Sequence, residues 1–314
     1  MFMYDKIKFF IPRTGSTEDI ARHLEKVCNI VDTNTGECTM TSGTIGGVKV
    51  IMYPNGVSII GSLPKYYNKS NVFTLDRAKT DEALGMLSDA LHVDLGKAIV
   101  TGLEFGTQFP MMKPTGVYLM RFGDVPRLKK ERVGDSTIYY KSSGKRQGKT
   151  LCFYDKTEEA QTKGIQTPGL LAGMPLLRYE ARFNGHLANQ FKVHEVLGRT
   201  LTNETFYRNM VKLWQRQYFA IPKTKETKCS VMGNIKTAND AVNVFFARLI
   251  SQTGQDEIGD FVNELKQNGT FQDAKYYTRV KKRLQEIAAI ISEDFAHDDI
   301  RELDDAIRNA GAYI

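Results

Sequence analysis

Apolar and polar positions alternate through the first half of the chain and give way to helical spacing in the second. Residues 1–11 alternate and carry Asp5, Lys6 and Lys8, which predicts a first strand. Residues 48–53 and 56–62 alternate on either side of Pro54-Asn55-Gly56. Asn-Gly supplies the positive φ values of a tight turn, so this pair predicts a hairpin. Segments 99–109, 117–122, 137–141, 151–156 and 176–183 read as further strands, with Ser142-Ser143-Gly144 turning one into the next. Within this strand-rich half, Ala83, Leu84, Leu87, Ala90 and Leu91 recur at helical spacing behind Asp81 and Glu82, predicting a helix over 80–91.

The period changes after Phe183. Residues 186–192 and 203–218 read as helices, and 222–234 as a polar linker. Helices are then expected over 238–253, 257–266, 273–295 and 298–310. Ile287, Ile290 and Ile291 line one apolar face, and Ile300, Leu303 and Ile307 another. The pattern predicts an α+β domain over 1–222, an antiparallel sheet with flanking helices, followed by an all-α domain over 223–314.

Composition narrows the function classes. No apolar run is long enough to span a bilayer, and the N-terminus alternates as a strand does rather than as a signal peptide. Cys28, Cys38, Cys152 and Cys229 match no zinc spacing, which suggests reduced thiols in a cytoplasmic protein. The formal charge of +7 suggests a polyanionic partner. Arg127, Lys129, Lys130, Arg132, Lys141, Lys145, Arg146 and Lys149 crowd one segment, opposed there only by Glu131 and Asp135. The crowding reads either as a solvated hairpin or as a phosphate-contacting patch.

Residues two apart on a strand share a face. Glu104 and Gln108 therefore share one, with Gly102 and Gly106 leaving space above it for a ligand or nucleic-acid backbone. Arg178, Glu180 and Arg182 share a face of their strand, while Leu177, Tyr179, Ala181 and Phe183 form the core side. Glu104 and Glu180 could together hold one divalent cation, Mg2+ or Mn2+; the alternative is two surface carboxylates paired with arginines. Tyr139 falls with Thr137 and Lys141, and Tyr140 with Ile138, so Tyr139 is the better nucleophile on face alone. A phenol near pKa ~10 needs a neighbouring cation or base to attack, and Lys141 and Lys156 are the candidates. The alternative is an ordinary sheet tyrosine. His186 and His194 have no metal-site spacing, and no phosphate-binding glycine loop is present. Tyr276 and Tyr277 stand on a basic helix with Arg279, Lys281, Lys282 and Arg283, a solvated face or a DNA contact.

At these residues the chain resembles the phage and plasmid replication initiators of the gene II/X type, and more distantly the rolling-circle Rep and mobilisation proteins. The resemblance runs from about Gly61 to Phe183. It comprises G-S-L-P-K at Gly61 with Asn71 downstream, S-D-A-L-H at Ser88, V-T-G-L-E-F-G-T-Q-F at Val100, T-I-Y-Y at Thr137, F-Y-D-K at Phe153 and R-Y-E-A-R at Arg178. It implies a nicking domain that binds a divalent metal through Glu104, Gln108 and Glu180. It also implies Tyr139 as nucleophile with Tyr140 in reserve, and Lys156 as the lysine of the Y-D-K motif. The His-x-His pair of many relatives is absent. The expected activity is nicking and rejoining of single-stranded or hairpin origin DNA through a 5′-phosphotyrosine. The basic segment, with Arg178 and Arg182, would contact DNA. A mobilisation relaxase and a non-catalytic DNA-binding regulator are the alternatives. The helical C-terminus, outside the resemblance, is expected to bind duplex, dimerise or recruit a host helicase.

Overall fold

The computed structural model describes residues 3–17, 19–142, 148–165, 169–171, 173–223, 235–253, 256–290 and 298–310. Lys145, Arg146, Cys229, Ile291 and most of the expected linker lie outside them. Ten strands form one antiparallel sheet: β1 (Tyr4–Pro12), β2 (Glu25–Val31), β3 (Cys38–Ile45), β4 (Val48–Tyr53), β5 (Gly56–Ser62), β6 (Ile99–Pro110), β7 (Leu128–Val133), β8 (Thr137–Ser142), β9 (Gly148–Asp155) and β10 (Leu176–Asn184). Their order is β2-β3-β4-β5-β1-β6-β10-β9-β8-β7, so β1, β6 and β10 lie at its centre.

Helices α1 (Leu63–Asn68), α2 (Arg77–Leu91), α3 (Thr115–Leu119), α4 (Lys156–Thr162), α5 (Leu187–Phe191), α6 (Gly198–Thr202) and α7 (Glu204–Phe219) connect and cover the sheet. The Asp76 side chain accepts from Lys79 N at 2.8 Å and starts α2; His92 in the left-handed region ends it. One face of the sheet is apolar and packs on α7. Phe153 stacks on Tyr179 at 4.3 Å, Tyr179 on Trp214 at 4.7 Å, and the Tyr179 hydroxyl donates to Trp214 O. Tyr4 and Tyr140 are buried on the same side, their hydroxyls donating to Leu201 O and Gly123 O.

The β4–β5 hairpin forms as expected, with Tyr53 opposite Gly56. Segment 117–122 is not a strand: Thr115–Leu119 is a short helix whose Tyr118 and Leu119 are buried. Strands β2, β3 and β7 were not apparent from alternation. Every residue of β2 is exposed and β7 is mostly charged, so neither carries an apolar period.

The chain divides into two compact units. The first is Met1–Pro222 together with Glu302–Ile314; the second is Lys223–Arg301. The chain end thus groups with the first unit rather than with the helices of 223–301. Most of α11 (Asp298–Asn309) completes the first unit. Leu303, Ile307 and Ala310 are buried there, Tyr218 donates to Asp304 at 2.8 Å, and Tyr118 donates to Glu302 at 2.5 Å. In the second unit, α8 (Ala238–Thr253), α9 (Asp256–Gln267) and α10 (Ala274–Ala288) pack on one another through Val244, Ala247, Ile258, Val262, Tyr277 and Ile287. No helix among the described residues is long and apolar enough to cross a membrane.

Candidate active site on the polar face of the sheet

The face opposite the aromatic core is polar, and strand register decides what meets on it. Glu104 lies opposite Arg182, Gly106 opposite Glu180 and Gln108 opposite Arg178 across β6 and β10. On the far side of β10, Glu180 lies opposite Cys152, and Cys152 lies opposite Tyr139. Tyr139, Cys152, Glu180 and Gly106 thus form one row across four strands. Asp5 joins this face from β1.

Asp5, Glu104 and Glu180 bring one carboxylate oxygen each within 4.8 Å of the others. Asp5 is the member that sequence reasoning missed as a site residue. Its signal was a break in the β1 alternation: the pairing of β1 with β6 shifts register between Tyr4 and Ile7, the stretch that contains Asp5. The carboxylates are not bare. Arg178 Nη2 donates to Asp5 Oδ2 at 2.5 Å, and its Nε lies 2.7 Å from Glu180 Oε1 without hydrogen-bond alignment. Arg182 contacts Glu180 Oε2 at 2.8 Å and Glu104 Oε1 at 3.8 Å. Tyr154 donates to Glu180 Oε1 at 2.9 Å, and Ser62 to Asp5 Oδ1 at 2.5 Å.

Glu104 and Glu180 titrate in opposite directions. Burial pushes the Glu104 carboxyl up to about 7, with Arg182 opposing and Glu180 and Asp5 adding to the rise. Burial also works against ionised Glu180, but Arg178 and Arg182 on either side hold it well below the ordinary carboxylate range. Burial is the main reason Glu104 keeps its proton. An all-oxygen cluster of three carboxylates fits a hard divalent cation, which would take the place of that proton.

The motifs behind the resemblance have structural work here. Ser62 of G-S-L-P-K caps α1, accepting from Lys65 N, while it donates to Asp5. Asn71 receives Arg178 on its backbone oxygen at 3.0 Å and Lys156 on its side chain at 3.3 Å.

Other expected residues fall differently. Arg178 is fully buried inside the carboxylate network, so it neutralises acids rather than facing DNA. Lys156 is fully buried as well and pairs with Glu159 at 2.5 Å; its partners are Glu159 and Asn71 rather than Tyr139. Gln108 accepts from Arg178 at 3.4 Å. Tyr140 is buried in the core with its hydroxyl engaged, which removes it as a reserve nucleophile. Gly102 and Gly106 do not leave open space. A Cβ at Gly106 would meet Tyr179 O at 2.1 Å, and one at Gly102 would meet Lys8 Cδ at 2.8 Å. Both glycines admit close neighbours instead.

Tyr139 is partly exposed on the polar face, and Lys141 Nζ lies 5.1 Å from its ring centre. Burial raises its pKa, with Cys152 adding and Arg182 opposing. The basic segment is split by the pleat. Lys129 lies opposite Lys141 on the Tyr139 side, where both pair with Glu131. Lys130 and Arg132 lie opposite Tyr140 and Ile138 on the other side, and Lys149 lies opposite Phe183 there too. Arg127 is exposed just before β7.

Fold and site together define an α+β protein whose antiparallel sheet presents carboxylates, arginines and a tyrosine on one face. The model of a phage family, described as the N-terminal part of a replication-associated protein of the gene II type, matches residues 3–204, from the first strand to the start of α7. The chain belongs to that family, among the phage replication-associated proteins, as its motifs implied. No curated protein matches it.

Proposed function

We propose that the first unit is the nicking domain of a rolling-circle replication initiator, cutting and rejoining single-stranded origin DNA through Tyr139. The observation that carries this reading is the shared face: the Asp5–Glu104–Glu180 cluster and Tyr139 lie on one side of the sheet in a phage replication family. Glu180 and Tyr139 are two strands apart, about 10 Å between backbones. A DNA backbone laid across β8, β9 and β10 would span both.

Asp5, Glu104 and Glu180 would hold the cation, Mg2+ or Mn2+, and when bound it would polarise the scissile phosphate. Arg182, half-buried and in contact with Glu180 and Glu104, keeps a cationic group beside the cluster on the same face. Lys129 and Lys141 supply positive charge on the same face. Attack by the Tyr139 oxygen, whose proton passes to solvent, forms a phosphotyrosyl bond as the bond to the 3′ oxygen breaks and that oxygen takes up a proton from water. The 3′ hydroxyl then primes synthesis, and reversal rejoins the strand. Tyr154, locked to Glu180, acts as a positioning residue.

The test is covalent adduct formation on a single-stranded origin oligonucleotide with Mg2+ or Mn2+. Tyr139→Phe should abolish adducts while Tyr154→Phe only slows them. Adducts that survive Tyr139→Phe and disappear in Tyr154→Phe would move the nucleophile to β9. Binding without cleavage, indifferent to chelator, would favour a DNA-binding regulator.

A further inference from the structure

We propose that α10 in the second unit is a phosphate-binding face for double-stranded DNA, distinct from the nicking face of the sheet. The family match ends at residue 204, so nothing in it assigns a role to this unit. That the polyanion is DNA rests on the replication reading above; the site itself is read from α10.

Charge in the second unit is segregated by helix. The α10 sequence AKYYTRVKKRLQEIA holds five cations and one acid, whereas the α9 sequence DEIGDFVNELKQ holds four acids and one lysine. At about 100° per residue, Lys275, Arg279, Lys282 and Arg283 fall in one stripe spanning about 100°. Buried Tyr277 and Ile287, with half-buried Val280 and Leu284, occupy the inward side. Lys275 pairs with Asp273 at 2.5 Å and Arg283 with Glu286 at 3.5 Å. Arg279, Lys281 and Lys282 are exposed and have no carboxylate partner among the described residues.

Single-strand binders offer open rings on which bases stack. Tyr276 is exposed, but its ring is shared: Lys275 Nζ lies 5.4 Å and Arg279 Cζ 5.6 Å from its centre, and Phe271 packs at 5.7 Å. A stripe of exposed cations along one helix suits the regularly spaced phosphates of a duplex.

The experiment uses the full chain and a duplex of about 30 base pairs, with affinity measured across a salt series. Two double variants are compared with wild type, Arg279→Glu with Lys282→Glu, and the milder Arg279→Gln with Lys282→Gln. Loss of two phosphate contacts should flatten the slope of log K against log salt by about 2. Affinity should fall about tenfold or more in the reversal variant and less in the neutral one, regardless of duplex sequence. Adduct formation on a short single-stranded oligonucleotide should be unchanged. An unchanged slope and affinity in both variants, or a loss confined to single-stranded DNA, would overturn the proposal. If wild type fails to cleave the oligonucleotide, the nicking reading fails, while the duplex measurement still decides the role of α10.

Discussion

Tyr139 and Glu180 are both register partners of Cys152, one on each side of β9. They therefore face the same way two strands apart, although 41 residues separate them in sequence. This row converts a set of polar strand positions into a face on which a tyrosine and a carboxylate cluster can serve one substrate.

Glu104 makes that cluster sensitive to pH. Burial lifts its carboxyl from an ordinary 4.5 to about 7. The folded protein thus holds a proton that the unfolded chain has lost between those values. The associated stability is fully present below about 4.5 and is lost as pH rises through 7. Without divalent cation, the thermal midpoint of wild type should fall across that window relative to Glu104→Gln, and the gap between the two curves is the readout. With Mn2+ present, wild-type affinity for the ion should rise with pH through 7, and chelation should remove the gain. Parallel curves for the two proteins would show that Glu104 does not carry the proton.

Gly106 is a point where a single methyl group should matter. Its Cβ would sit 2.1 Å from Tyr179 O and 2.7 Å from Glu180 Cα, so Gly106→Ala must push β6 away from β10 beneath the cluster. A loss of about 3 kcal/mol or more is expected in denaturant unfolding, with metal affinity falling alongside. Gly85 in α2 has nothing within 4 Å of its Cβ position, so Gly85→Ala should stabilise by about 0.5–1 kcal/mol. Similar behaviour of the two variants would refute the close approach.

The last helix should be required by the first unit. Truncation after Pro222 removes buried Leu303 and Ile307 and the carboxylates of Glu302 and Asp304 to which Tyr118 and Tyr218 donate. Such a protein should melt well below the full chain, and Leu303→Ala alone should cost about 2–5 kcal/mol. Excising 223–301 and joining the ends by a flexible linker should retain most of the lost stability. A truncated protein as stable as the full chain would mean that α11 is an accessory.

Much of the fold was legible because half-buried strands advertise a period of two. Alternation identified β1, β4, β5, β6, β8 and β10, and placed Tyr139 and Tyr140 on opposite faces, as the structure has them. It failed where burial does not alternate. Every residue of β2 is exposed, and the apolar run at 117–122 is partly a helix folded over the sheet end. The basic segment looked like one patch because sequence does not record the pleat, which divides Lys129 and Lys141 from Lys130, Arg132 and Lys149.

By itself, the sequence determined the class of fold, the family, the polar side of β6 and of β10, and the polar side of β8 that carries Tyr139, because all of these depend on local period and residue type; that these sides are one face was decided by strand pairing. Only the tertiary structure decided which acids converge. Asp5 reaches the cluster because β1 lies beside β6, a pairing between residues about a hundred positions apart. Burial turned Arg178 and Lys156 from expected working residues into internal counterions, since a buried charge must find a partner. The same long-range packing returned α11 to the first unit, where the hydroxyls of Tyr118 and Tyr218 meet its acids.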